Sequence, residues 1–112
     1  MLGWQVLNQF KNTKYNLKCQ VRNKKSQISL IKKLNLNKKV KFFYFDIEKD
    51  KIDTLFKKIS NKDVIINCIG KIKPFINEND LNQIQTAINV NSLFPIELSK
   101  IIKNKKNKIY QI

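Results

Sequence analysis

The sequence predicts an α/β fold built around a doubly wound parallel sheet. Three observations carry this expectation. Segments with helical and strand periodicity alternate along nearly the whole chain. The stretch "DVIINCIG" (63–70) is a continuous apolar run, the pattern of a strand buried on both faces. The stretch "KVKFFYFD" (39–46) is β-branched and aromatic, as strands prefer.

The elements follow in order. Leu2, Val6, Leu7 and Phe10 recur at helical spacing over 2–11. Tyr15, Leu17, Cys19 and Val21 alternate, so 15–21 reads as a strand. Ile28, Ile31 and Leu34 step by three over 26–36, a helix with Ser26 as its expected cap. The strand at 40–45 follows. Ile52, Leu55, Phe56 and Ile59 then give a helix over 48–60. After the apolar strand comes a long helix over 77–103, in which Pro95 should impose a kink or a boundary. A charged turn, "NKKNK" (104–108), leads into the strand "IYQI" (109–112). Right-handed crossovers restrict such an order to the doubly wound arrangement.

At 112 residues the chain holds one domain at most. Its 42% hydrophobic content suits a packed core and argues against disorder. The sequence has no apolar run long enough for a membrane span and no signal-peptide pattern. Cys19 and Cys68 are far apart and the chain has no His, which argues against a metal site or a disulfide framework. A reducing, cytoplasmic setting is the expectation. The net charge of +15 suggests nucleic acid. The composition argues the other way: Arg22 is the only Arg, and Arg is the side chain that forks onto base edges and phosphates. Abundant Lys, Asn and Ile together read as coding bias, with Lys on solvated faces.

Ligands of such sheets bind at the carboxyl ends of the strands, so the residues there are the candidates. Arg22 follows the first of these strands, 19 residues after Gly3. In dinucleotide-binding folds an acidic residue near that position takes the ribose hydroxyls, and an Arg accepts a 2′-phosphate. A solvated turn cation is the plainer reading. Asp46 and Ile47 follow the next strand. The carboxylate suits an adenine amino group and the Ile packs on the ring, or Asp46 caps the helix expected near Glu48. Cys68, Ile69, Gly70 and Lys71 leave the apolar strand; Gly70 removes bulk and permits unusual dihedrals, or serves a tight exit. Asn89 and Asn91 are two apart and cannot share a helical face, so one should face inward and be hydrogen-bonded.

Taken together, "MLGWQVL", Arg22, "FDIEKDKIDTLF", "DVIINCIGKIKP" and "AINVNSLFPIELS" resemble the extended short-chain dehydrogenase/reductase superfamily, nearest its dTDP-4-dehydrorhamnose reductase-like sugar-nucleotide enzymes. The resemblance implies a Rossmann-type NAD(P)-binding domain over 1–112, truncated at both ends and lacking its first strand. Gly3 then matches the third glycine of a Gly-x-x-Gly-x-x-Gly loop. Met1 and Leu2 match the two residues before it, whose backbone approaches the pyrophosphate. Arg22 matches the ribose or 2′-phosphate position, and Asp46 and Ile47 the adenine pair. Cys68, Ile69, Gly70 and Lys71 match the segment lining the cofactor. Asn91 matches an Asn that supports the catalytic site. The implied cofactor is NADP or NAD, with NADP favoured by Arg22. The implied substrate is a nucleotide sugar, bound by a full-length protein that could be a homodimer, without membrane or nucleic-acid partners. The departures are the missing first glycines and the missing Tyr-x-x-x-Lys: none of Tyr15, Tyr44 and Tyr110 has a Lys four residues on. The chain alone is therefore expected to be inactive, with a split or collapsed sheet. Two other readings stay open: a Lys-rich α/β module for nucleic acid or acidic partners, and a non-catalytic regulatory relative.

Overall fold

The computed structural model describes residues 2–71, 76–103 and 107–112. The elements run α1 (Gly3–Phe10), β1 (Lys18–Val21), α2 (Lys24–Leu34), β2 (Lys41–Tyr44), α3 (Ile52–Phe56), β3 (Val64–Asn67), α4 (Leu81–Ile88), a π-helical segment (Asn89–Leu93), α5 (Phe94–Lys103) and β4 (Lys108–Gln111). The chain divides into two compact units, Met1–Asp50 and Lys51–Ile112.

The single doubly wound sheet is not formed. Among the described residues the strands make two separate parallel pairs, β1 with β2 and β3 with β4. A doubly wound sheet would have to join these pairs through further hydrogen-bonded strands, and each ladder here ends at two. Each pair closes within its own unit, because parallel strands require a long crossover and each unit supplies one.

In the first unit Lys18 to Val21 pair in register with Lys41 to Tyr44. The ladder continues as the Lys41 amide donates to Leu17 O and the Phe45 amide to Val21 O, at 2.9 and 3.0 Å. Leu7 of α1, Leu34 of α2 and Val40 form the buried cluster, with Trp4, Leu17, Cys19, Leu30, Leu36 and Phe42 packed against it. The cap of α2 is Asn23, not Ser26: the Asn23 side chain accepts the Ser26 amide at 2.9 Å. An extended Asn immediately before Lys24 meets the first free amides, so the helix starts two residues earlier than periodicity suggests. At the other end Asn35 takes the left-handed conformation at φ 50°, a cap that Asn tolerates. Lys11 Nζ adds a bond to the Leu34 carbonyl at 2.9 Å.

Burial pushes the Cys19 thiol from 9.0 up to about 11. The folded state thus keeps its proton where the unfolded chain has already ionised, and stability falls as pH rises from 9 towards 11. Urea unfolding at pH 8 and pH 10.5 should show a loss of about 1–2 kcal/mol from this group. The same comparison in Cys19→Ala should lack that part of the loss. An identical pH dependence in both proteins would refute the assignment.

In the second unit the buried side chains are Leu55, Asn67, Ala87, Val90, Phe94, Leu98 and Ile102. The helix expected over 48–60 shrinks to α3, because Asp46 and Asp50 commit residues 46–50 to a side-chain-bonded turn. The long helix is interrupted by the π segment, in which the Phe94 amide donates to Asn89 O. Pro95 explains the break: it has no N–H, and its ring would clash with the carbonyl of Asn91 in a regular helix. The strand β3 is not buried on both faces. Val64 and Ile66 are exposed, while Asn67 is buried and Ile65 partly so. The two-stranded pair leaves one of its faces uncovered, although the sequence is apolar on both.

Among the described residues no helix is long and apolar enough to cross a membrane. No group of three or more His, Cys, Asp or Glu side chains among them could hold a metal ion.

Candidate functional site

The candidate residues fall into two groups, one in each unit. In the first unit β1 and β2 run parallel, so their carboxyl ends lie side by side and bring Arg22 next to Asp46. Arg22 Nε lies 3.8 Å from Asp46 Oδ2. The Arg22 side chain is 60% exposed and that of Asp46 only 13%. The Asp46 carboxylate accepts one backbone bond, from the Glu48 amide to Oδ1 at 3.0 Å, while its backbone amide is held by Asp50 Oδ2 at 2.7 Å. Asp46 thus caps a turn rather than a helix. Its remaining acceptor capacity faces Arg22, since a carboxylate offers about four lone-pair sites. Ile47, beside it, is half-buried. An exposed ion pair of this kind adds little stability, about 0–1 kcal/mol. The guanidinium lies beside Asp46 and stays open to solvent.

The same unit holds the start of α1. Gly3 is the first helical residue and is exposed. Leu2 precedes it with no side-chain cap; its carbonyl accepts the amides of Gln5 and Val6 at 3.0 and 3.1 Å. Met1 lies outside the described residues.

In the second unit the segment leaving β3 is bracketed by two asparagines. Asn67 is 4% exposed. Its Oδ1 accepts the Ile69 amide at 3.1 Å, and its Nδ2 donates to Gln111 Oε1 at 2.7 Å. Asn91 holds the other end: its Oδ1 accepts the Lys71 amide and its Nδ2 donates to Lys71 O, each at 2.7 Å. Cys68, Ile69 and Gly70 are thereby fixed between two side-chain clamps. Burial raises the Cys68 thiol above its usual value. Both asparagines singled out from the sequence are exposed, so neither faces inward as expected; Asn91 nevertheless makes the inter-segment bonds. Asn89 pairs along its own helix, accepting from Gln85 Nε2 at 3.1 Å. Asn91 reaches Lys71 from the π segment, whose widened turn changes the direction of side chains on it.

Gly70 does not use unusual dihedrals, as no described glycine has positive φ. A Cβ built on it would meet Asn91 Oδ1 at 3.6 Å, an ordinary contact. Backbone conformation and crowding therefore do not require glycine there; what glycine provides is an exposed stretch of bare backbone.

Asn67 and Gln111 escape sequence reading. Asn67 sits inside an apolar run and reads as part of it. The signal available was that a lone polar residue in such a run must be hydrogen-bonded. Gln111 had no signal, because its partner is 44 residues away. Compared with protein-family models, with curated proteins and with solved structures, the chain matches none.

Proposed function

We propose that the chain is the cofactor-binding part of an NAD(P)-dependent oxidoreductase acting on sugar nucleotides, of the dTDP-4-dehydrorhamnose reductase-like kind, with NADP preferred. The supporting observation is the Arg22–Asp46 pair at the adjacent carboxyl ends of two parallel strands, 3.8 Å apart with the guanidinium open to solvent. In this reading Arg22 takes the 2′-phosphate and Asp46 the adenine amino group. Leu2 and Gly3 offer backbone to the pyrophosphate. Proton transfer is not assigned to any residue of 1–112, so the chain binds the dinucleotide without turnover.

Calorimetry of the chain with NADPH, NADH and adenosine 2′,5′-bisphosphate tests this. NADPH and the bisphosphate should bind more tightly than NADH. Arg22→Ala should weaken both by about tenfold or more, the size of a lost charge-assisted hydrogen bond, and leave NADH unchanged. NADH binding as tightly as NADPH would defeat the 2′-phosphate role, and binding of neither dinucleotide would overturn the whole reading.

A further inference from the structure

The opposite end of β1–β2 has a different chemistry. Lys18 pairs in register with Lys41 and the Lys41 amide donates to Leu17 O, so the segment entering β1 (14–18) and the segment entering β2 (38–41) meet at one end of the pair. Five lysines there, Lys14, Lys18, Lys38, Lys39 and Lys41, are exposed. Their backbone is held in place: Asn37 Oδ1 accepts the Lys39 amide at 2.9 Å, and Val40 between Lys39 and Lys41 is buried in the core. Tyr15 lies in the same segment as Lys14, is 59% exposed, and rests at a tilt against Phe10 with 6.2 Å between ring centroids. The acidic residues of this unit, Asp46, Glu48 and Asp50, all follow β2. The carboxylates of this unit are therefore confined to the carboxyl end, where cations accompany them, while the amino end carries ammonium groups and an exposed aromatic ring without any carboxylate.

We infer that the amino end of β1–β2 is a contact surface for single-stranded nucleic acid, read without regard to sequence. Lysines track phosphates as point charges, and an exposed ring stacks on any base. The shortage of Arg argues against reading base edges, and this surface needs no such reading. Averaged over the chain, the charge reads as general solvation; strand pairing brings part of it to the end of the sheet that Tyr15 precedes. The inference stands on residues separate from the proposed dinucleotide site.

Fluorescence anisotropy with labelled oligodeoxythymidylate, over a range of salt concentrations, tests it. Affinity should fall as salt rises. Lys38→Gln, Lys39→Gln and Lys41→Gln together should flatten the slope of log K against log salt by about 2, at about 0.7 per phosphate contact. Tyr15→Leu should weaken binding about tenfold. The control triple Lys57→Gln, Lys58→Gln and Lys62→Gln, exposed in the second unit, should change neither slope nor affinity. Arg22→Ala should be silent here, which separates this result from failure of the dinucleotide reading. Equal losses from both triples would show general charge attraction and overturn the inference. So would inorganic polyphosphate binding as tightly as the oligonucleotide while Tyr15→Leu has no effect.

Discussion

Leu98→Ala is expected to destabilise the second unit by about 2–5 kcal/mol, the range for emptying a buried leucine site. Leu98 is 3% exposed and lies one helical turn from Phe94 and one from Ile102, at 5% and 2%. These three form the inward stripe of α5. The loss is a large share of the whole for a small domain, whose total stability is about 5–15 kcal/mol. Urea unfolding followed by circular dichroism should show the midpoint falling sharply. The neighbouring Ser99→Ala is the control. Ser99 is exposed and its hydroxyl donates only to Pro95 O, at 2.8 Å within its own helix. It should change stability by no more than about 0.5 kcal/mol. Similar effects from the two substitutions would contradict the packing described for α5.

Asn67→Leu should cost about 2–3 kcal/mol despite the gain of apolar surface. Leucine is close in size, but it abandons the Ile69 amide and the Gln111 side chain. Stranded polar groups cost about 1–3 kcal/mol each when water cannot replace the lost partner. The effect should also spread along the chain. Amide hydrogen exchange of Ile69 should accelerate. Asn67→Asp separates the two bonds, since it keeps the acceptor for Ile69 and loses the donor to Gln111. An Asn67→Leu protein as stable as the parent would mean that the clamp has no mechanical role.

Local order was legible in the sequence, and partnership between segments was not. Strand and helix types followed from periodicity because side-chain alternation and the 3.6-residue repeat are local consequences of backbone geometry. Boundaries moved where a polar side chain satisfied the backbone differently: Asn23 drew the start of α2 forward, and Asp46 with Asp50 kept 46–50 out of a helix. Pro95 announced a break, but the form of that break, a π segment that aims Asn91 at Lys71, depends on a contact 20 residues away. The doubly wound sheet failed as an expectation for a related reason. Apolar faces on Val64 and Ile66 call for cover and for neighbouring strands, yet a sequence pattern cannot supply either. At the candidate site, strand-end position marked Arg22 and Asp46 one by one; their nearness comes from the parallel pairing of β1 with β2. The Asn67 clamp stayed hidden, because its meaning lies in Gln111.

The two parallel pairs also differ in how far apart along the chain their partners lie. In the first unit Gln20 meets the Phe45 carbonyl across 25 residues; in the second Asn67 meets Gln111 across 44. Closing the longer loop costs only about 0.5 kcal/mol more, so it barely alters the final balance. Kinetically it matters more, since contacts distant in sequence form late. The β1–β2 pair can close around α2 once residues 18–45 are available. The β3–β4 pair must wait for the last strand. During synthesis, then, the half bearing Arg22 and Asp46 acquires its order early. The asparagine-clamped half is completed only when Gln111 arrives.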